Sequence, residues 1–315
     1  MKVVLTNLSN ELYSESRFRL NQSAIKHGID DIYSFDFSDI KETEFFDQNK
    51  EILESPKGLG YWLWKPYLVL QAFNKIVDGD IVIYSDCGIE IIDSLDPLFQ
   101  IAEDKSIVLF GNANDLNFSW TKRDCFVFMD CDSEYYWYSL HIDAAFSLFK
   151  KCEYSINFLN DWLRYGKNAN NITDLPNICG KENINGFLEH RWDQSILSLL
   201  AHKYKLELFR MPTQFGNHYK TIKYRIDGEF NCVNQMDQSI VSFYSGIPYY
   251  NSFYFQLLNH HRSKKITEEV NIEEVTVKKN VNPINVIQIA KIPFRIVLKL
   301  TNVILKFGGF KVIRL

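Results

Sequence analysis

Apolar residues along the chain form short continuous runs, separated by segments in which they recur at helical spacing. The runs predict strands and the spaced segments predict helices. In chain order the pattern predicts a strand at 2–7, a helix at 15–27 that ends at Gly28, a weak strand at 31–37, a helix at 67–77, strands at 81–88 and 106–110, and a helix at 157–164. Strands that alternate with helices indicate an α/β sheet with helices on both faces.

The run at residues 81–88, IVIYSDCG, ends in an acid and a glycine. Ligands of such sheets bind beyond the carboxyl ends of the strands, and Asp86 falls at this place. Mg²⁺ and Mn²⁺ take carboxylates together with substrate phosphates, so Asp86 is the first candidate for a metal ligand. The alternative is an acid that caps the next turn, with Gly88 supplying a positive φ.

Residues 58–67, GLGYWLWKPY, place two tryptophans and a lysine between glycines and a helix. A lysine is rarely buried without a partner, and a cleft explains this segment better than core packing alone. We expect Lys65 to offer a charge to a diphosphate and Trp62 or Trp64 to form an aromatic wall. Phe, Tyr and Trp make up 15% of the chain, a share that also suits a cleft in which sugars or bases stack.

Composition and charge limit the classes of protein to consider. The 315 residues are 46% hydrophobic with a net charge of −4, which excludes a disordered chain and a disulfide-rich scaffold. Six cysteines form no CxxC pair and the N-terminus lacks the apolar run of a signal peptide, so we expect a cytoplasmic protein. A P-loop, a GxGxxG motif and the order of a Ser-His-Asp triad are all missing from the sequence.

The last part of the chain differs from the rest. Residues 283–315 hold six basic residues and no acidic one, which leaves 29 basic against 39 acidic residues in 1–282. Four of the cations share a helical sector of about 80° with Gln288 and Asn302. This basic amphipathic tail is either a helix packed on the domain or one that lies on an anionic membrane surface, and we prefer the second. We therefore predict a main domain at 1–262, a charged linker or exposed helix at 263–282 and a membrane-association tail at 283–315.

Four segments, GYWLWKP, YSDCG, WTKRD and HRWDQSILSLL, occur in this order between Lys2 and Tyr219. Together they resemble nucleotide-sugar glycosyltransferases of the GT-A fold, and more specifically bacterial enzymes of surface-polysaccharide (lipopolysaccharide or capsule) synthesis. The resemblance implies a single Rossmann-like mixed sheet flanked by helices. It also implies transfer of a sugar from a nucleoside diphosphate to a glycan or lipid-linked acceptor. The basic tail leads us to expect this activity at the inner face of the plasma membrane.

The metal-binding DxD of that family matches imperfectly here. Asp86 takes the place of the first acid, but Gly88 stands where the second acid belongs. Either a Mn²⁺ or Mg²⁺ ion is held weakly, with His218 as a further ligand by position, or Lys65 and nearby cations replace the metal. His260 and His261 are poorer candidates than His218. A literal DxD at 130–132 follows the wrong segment, and we interpret it as a chance match.

The resemblance also suggests residues at the donor sugar. DQSILSLL resembles the late Asp-Gln element of the retaining glycosyltransferase family eight, which implies that Asp193 and Gln194 face the anomeric centre and that configuration is retained. Asp143 and Ala144 match a segment that touches the donor sugar before a strand.

The sequence leaves the role of two further cations undecided. Lys122 and Arg123 of WTKRD either bind donor phosphates or an acidic acceptor, or belong to a solvated turn.

Two other functions compete with a glycosyltransferase. A non-catalytic glycan-binding protein would explain the aromatic residues. A sugar nucleotidyltransferase would need a glycine-rich basic loop after the first strand, and LSNELYSESRFR does not resemble one. An acidic body makes a nucleic-acid partner improbable.

Overall fold

The computed structural model describes residues 1–216 and 251–261, without the side chains of residues 113 and 114. Eight strands are found in these residues: β1 (Val3–Ser9), β2 (Asp31–Asp36), β3 (Ile81–Ser85), β4 (Ile89–Ile91), β5 (Ile107–Leu116), β6 (Leu140–Lys150), β7 (Leu208–Arg210) and β8 (Leu258–His260). The predicted tail, the predicted linker and His218 lie outside the described residues.

Helices connect these strands. The described residues contain α1 (Ser14–Lys26), α2 (Phe37–Lys41), α3 (Glu44–Gln48), α4 (Lys50–Leu53), α5 (Gly58–Tyr61), α6 (Trp64–Phe73), α7 (Asp96–Asp104), α8 (Asn117–Trp120), α9 (Arg123–Phe128), α10 (Glu134–Trp137), α11 (Glu153–Gly166), α12 (Ala169–Ile172) and α13 (Trp192–Lys203). Gly28 has φ +83°, as the C-terminal cap of α1 requires. No helix of the described residues is long and apolar enough to span a bilayer.

Six strands form the main sheet in the order β2-β1-β3-β6-β5-β7. Five of them are parallel to one another, and β6 runs antiparallel between β3 and β5. The sheet is therefore mixed, as predicted. The antiparallel insertion matters for function because the beginning of β6 lies beside the carboxyl end of β3.

Side chains alternate between two apolar layers along each inner strand. In β1, Val4 packs in the layer that contains α6, α11 and α13, whereas Leu5 packs in the layer that contains α1 and α7. Val82 and Ile83 of β3 divide in the same way. This period of two buries both faces of the strand, and it confirms the prediction of a sheet covered by helices on both sides.

A small second sheet joins distant parts of the chain. β4 pairs antiparallel with β8, and the register places Ile89 opposite His260. The backbone N–H of His261 donates to the carbonyl of Gly88 at 2.7 Å. Residues 257 and 258 also donate to the carbonyl of Pro212. Because β4 begins three residues after Asp86, β8 borders the carboxyl edge of β3.

Candidate functional site

Four elements meet at the carboxyl end of β3. Asp86 directly follows β3, and its backbone N–H donates to the carbonyl of Ala145 in β6 at 2.7 Å. Asp143 and Ala144 lie just before that contact in β6. The first turn of α13 supplies Asp193, and the first turn of α6 supplies Lys65. The structure thus brings together four residues that the sequence singled out from separate motifs.

The ammonium of Lys65 is the centre of this group. Its Nζ lies 3.1 Å from Oδ2 of Asp193 and 3.3 Å from Oδ1 of Asp86. It also donates to the carbonyl of Ala144 at 3.0 Å. The side chain is only 4% exposed, so these three oxygens replace its water shell. Burial alone would lower the pKa of Lys65, but the two carboxylates outweigh it and raise this pKa above the ordinary value.

Asp86 is the open member of the group. Its side chain is 34% exposed, whereas those of Lys65 and Asp193 are buried. The hydroxyl of Tyr84 donates to its Oδ1 at 2.5 Å. Tyr84 was not among the predicted site residues, although the period of two in a strand places it on the same side as Asp86. A ligand that enters from solvent therefore meets Asp86 first.

Two carboxyl groups of the site titrate close to neutrality. Burial raises the pKa of Asp193 to about 6, although Lys65 opposes this shift. Burial, and then the charge of Asp86, raises the pKa of Asp143 to about 7. Asp193 lies at the N-terminal end of α13, where the helix dipole favours a carboxylate. Groups with such pKa values can gain or lose a proton during a reaction at neutral pH.

A stack of two rings links α13, which carries Asp193, to the turn before α6, which carries Lys65. The rings of Trp62 and Trp192 stack with their centroids 5.2 Å apart, and Nζ of Lys57 lies 4.0 Å from the ring of Trp192. Nε1 of Trp192 donates to Asp174 at 2.9 Å, and Lys57 pairs with the same carboxylate.

The backbone around these rings is strained. Trp62 has φ +59° and Trp192 has φ +49°. Residues other than glycine rarely adopt such positive φ values. Leu59 and Tyr61 share this conformation. Strained residues persist where the surroundings hold them, and these four lie within six residues of Lys65 or next to Asp193.

The remaining predicted binding residues are engaged elsewhere in the protein. Trp64 is buried and its Nε1 donates to the carbonyl of Gly58. Nζ of Lys122 donates to the carbonyl of Leu175 at 2.9 Å. Arg123 forms an ion pair with Asp132 at 3.0 Å. Their predicted roles toward a donor stay predictions. Gln194 is partly exposed beside Asp193.

The described residues form no complete set of protein ligands for a divalent metal. No group of three or more His, Cys, Asp or Glu ligands occurs within residues 1–216 and 251–261. Oδ1 of Asp86 already faces the ammonium of Lys65, which would repel a second cation there. In the literal DxD, Asp132 pairs with Arg123 and Lys181, and Asp130 is exposed.

The packing around Gly88 explains why glycine stands at the position of the second DxD acid. A Cβ atom at this position would lie 2.6 Å from the carbonyl oxygen of His261. That distance is shorter than real Cβ contacts, and the obstacle is backbone rather than a flexible side chain. The residue after β8 thus occupies the space that an acidic side chain would need.

Comparisons with known proteins find likeness in structure only. No family model matches the chain, and no curated protein sequence does. The solved structures that match include the bifunctional glycosyltransferase WbbM in its apo form, at 14% identity and a TM-score of 0.38; the match covers 63% of this chain and 37% of that one.

Two other matches cover a larger share of the solved structure that is compared with this chain. Mouse xyloside xylosyltransferase 1 matches at 7% identity and a TM-score of 0.42, over 83% of this chain and 98% of that one. The galactosyltransferase LgtC, solved with donor and acceptor sugar analogues, matches at 12% identity and a TM-score of 0.37, over 82% and 87%. The chain is similar to glycosyltransferases. At such low TM-scores, its chemistry has to be derived from its own side chains.

Proposed function

We propose that the protein is a glycosyltransferase that moves a sugar from a nucleoside diphosphate to a glycan or lipid-linked acceptor. The observation that carries this proposal is the buried ammonium of Lys65 between Asp86 and Asp193 at the carboxyl edge of β3. A buried charge with two acidic partners on separate elements is costly, and such groups concentrate at sites where charge develops in a reaction. The edge is also the ligand-binding edge of α/β sheets.

The roles of the three charged residues follow from their positions. The carboxylate of Asp193 is buried and faces the anomeric carbon in this proposal, where it stabilises the developing positive charge of an oxocarbenium-like centre. Lys65 keeps Asp193 ionised and holds it in place. Asp86, the exposed member, meets the polar groups of the entering donor. Sequence resemblance to family eight supports retention of configuration.

Two side chains at the end of β1 favour the binding of a nucleotide. Carbonyl oxygens of the Asn7 and Asn10 side chains are buried at the carboxyl end of β1, and neither has a hydrogen-bond partner in residues 1–216 and 251–261. β1 pairs with β3, so Asn7, in β1, and Asn10, directly after it, lie beside the strand that leads to Asp86. Buried acceptors are usually satisfied, and a base or ribose would supply donors.

Three further parts of the proposal rest on the sequence alone. They are a role in surface-polysaccharide synthesis, a cytoplasmic location and attachment to the membrane through residues 283–315. The basic tail would hold such an enzyme at the anionic leaflet where lipid-linked acceptors are found.

The deciding experiment incubates the purified full chain with a panel of nucleotide sugars, in EDTA and in Mn²⁺. Release of nucleoside diphosphate reports donor choice and metal need together. We expect turnover of at least one donor, and a loss of at least about a hundredfold in Asp86→Ala and Asp193→Asn. The matched control, Asp130→Asn, changes the exposed acid of the literal DxD and should keep full activity.

Two results would contradict the proposal. If Asp86→Ala keeps full activity, then this site is not the place of sugar transfer. Saturable binding of a sugar without turnover of any nucleotide sugar would favour a glycan-binding protein instead.

A further inference from the structure

The longest segment without helix or strand in residues 1–216 leads directly into the site. Residues 173–191, the 173–191 loop, connect α12 to α13, and Asp193 follows in the first turn of α13. Loops of this length are uncommon inside a compact domain, and most of them serve a function. Near its start, Asp174 accepts a hydrogen bond from Nε1 of Trp192 and pairs with Lys57. Both ends of the loop therefore contact the beginning of α13.

A buried carboxylate of the WTKRD segment fixes the middle of the loop. Asp124 is fully buried in the first turn of α9. Its Oδ1 accepts hydrogen bonds from the backbone N–H groups of Ile178 at 3.0 Å and of Cys179 at 2.9 Å. In return, the side-chain oxygen of Asn177 accepts from the backbone N–H of Asp124, which has no partner inside α9. Loop and helix are thus bonded in both directions, and backbone donors replace the water shell of the carboxylate.

An imidazole joins the two ends of the loop. His190 is buried, its Nδ1 accepts from the backbone N–H of Lys122 at 3.3 Å, and its Nε2 lies 2.7 Å from the carbonyl oxygen of Asn171. Because Nδ1 accepts, Nε2 carries the proton and donates to Asn171. Burial lowers the pKa of His190 to about 3, so the ring stays neutral and keeps both bonds at neutral pH. Nζ of Lys122 completes the closure by donating to the carbonyl of Leu175 at 2.9 Å.

The last residue of the loop sets the start of α13. The backbone N–H of Arg191 donates to the carbonyl of Trp120 at 3.0 Å. The carbonyl of Arg191 accepts from the N–H groups of Gln194 and Ser195. The position of Arg191 therefore sets the direction in which α13 leaves the loop, and with it the position of Asp193. A displacement of about 1 Å at a reacting group can cost roughly a hundredfold in rate.

We propose that Asp124 and His190 are positioning residues for sugar transfer: they lock the 173–191 loop, and the locked loop holds Asp193 beside the ammonium of Lys65. This inference rests on the proposed function, in which Asp193 faces the anomeric carbon. Neither positioning residue touches the donor. The WTKRD segment then serves the site by fastening a loop, which differs from the contact with donor phosphates considered for its two cations.

Amide hydrogen exchange of the full chain tests the positioning without any substrate. Asp124→Ala removes the acceptor of the two loop N–H groups. We expect the amides of Gln194 and Ser195 to exchange at least about tenfold faster in this variant, because Arg191 is no longer held. Asp124→Asn keeps one oxygen that can accept both loop N–H groups, and it should stay within about threefold of the natural sequence.

The matched control is Asp80→Ala. Asp80 is also a buried acid that accepts two backbone N–H groups, those of Lys2 and Val77, but it lies at the amino end of β3, the edge opposite to the site. In turnover assays with nucleotide sugars, kcat of Asp124→Ala should fall about thirtyfold or more, while KM changes by less than about threefold. Asp80→Ala should lose stability without this loss of kcat.

A second variant makes the test independent of the folding of the first. His190→Leu removes both bonds of the imidazole and should give the same two effects as Asp124→Ala. Equal exchange at Gln194 and Ser195 in Asp124→Ala and Asp80→Ala would overturn the proposal, and so would a kcat that falls equally in both. If the natural sequence turns over no nucleotide sugar, the proposed function fails, whereas unequal exchange would still assign the positioning of α13 to Asp124 and His190.

Discussion

Restoring the missing acid of the DxD should damage the protein instead of improving it. Gly88→Asp looks favourable from the sequence alone, because it recreates two acids around Cys87. In the structure, however, any Cβ at this position meets the carbonyl oxygen of His261 at 2.6 Å. The new side chain must push the end of β8 away from β4, or leave β4 displaced itself.

The size of the effect follows from two contributions. Forcing extra atoms into a packed site costs about 1–3 kcal/mol. Moving the chain also breaks the hydrogen bond from the N–H of His261 to the carbonyl of Gly88, which contributes roughly 1 kcal/mol. We expect the free energy of unfolding to fall by about 2–4 kcal/mol, and the melting temperature to fall by roughly 5 °C or more.

Urea unfolding of three variants isolates the cause. Gly88→Ala carries the same Cβ without a charge and should lose nearly as much stability as Gly88→Asp. Gly79→Asp is the matched control: its φ of +90° strains any side chain, but no atom lies within 4 Å of a Cβ there. It should cost only about 1 kcal/mol.

Activity in a Mn²⁺ titration completes the comparison. We expect Gly88→Asp to gain no activity and no lower Mn²⁺ midpoint. If Gly88→Asp is as stable as Gly79→Asp, or if its activity in Mn²⁺ exceeds that of the natural sequence, then β8 does not block this position and our explanation of Gly88 is wrong.

Three further changes test the charges and rings of the site. Lys65→Met should lower the free energy of unfolding by about 3 kcal/mol in urea melts, since Asp193 loses its cation; the acid limb of its pH–rate profile should move to higher pH. Asp143 has a folded pKa of about 7 against an ordinary 3.8, so the folded state binds the extra proton and stability falls as pH rises between them. Asp143→Asn should therefore reduce the difference in melting temperature between pH 5 and pH 8, and an unchanged difference would contradict this. Trp192→Phe loses the hydrogen bond to Asp174, so we expect a loss of about 1 kcal/mol in stability and a severalfold lower turnover; unchanged turnover would mean that the stack does not position Asp193.

The alternation of strands and helices could be predicted because it depends on local periodicity. The helix predicted at 15–27 is α1, and the strand predicted at 31–37 is β2, each within one residue at both ends. Boundaries at α6 were less accurate: the helix spans Trp64–Phe73 rather than 67–77. There the apolar spacing continues past the last helical residue, and Pro66 lies within the first turn, where proline is tolerated.

Convergence of the site residues was only partly predictable. The position of Asp86 follows from the rule that ligands bind beyond the ends of strands, which needs only one segment. The sequence could not show that Lys65 is buried between Asp86 and Asp193, because that depends on how α6 and α13 pack on the same face of the sheet. Three-residue strands such as β4 and β8 carry too few positions for a periodic signal.

The pairing of β4 with β8 has a consequence for synthesis of the protein. About 170 residues separate the two strands in the chain, so their pairing is among the most non-local contacts of the fold. A nascent chain that has emerged as far as α13 can already place Lys65, Asp86 and Asp193 together, yet β4 still has a bare edge. Until residue 261 leaves the ribosome, that edge offers its unpaired backbone groups to other chains. Chaperone contact during translation should therefore be strongest in this interval.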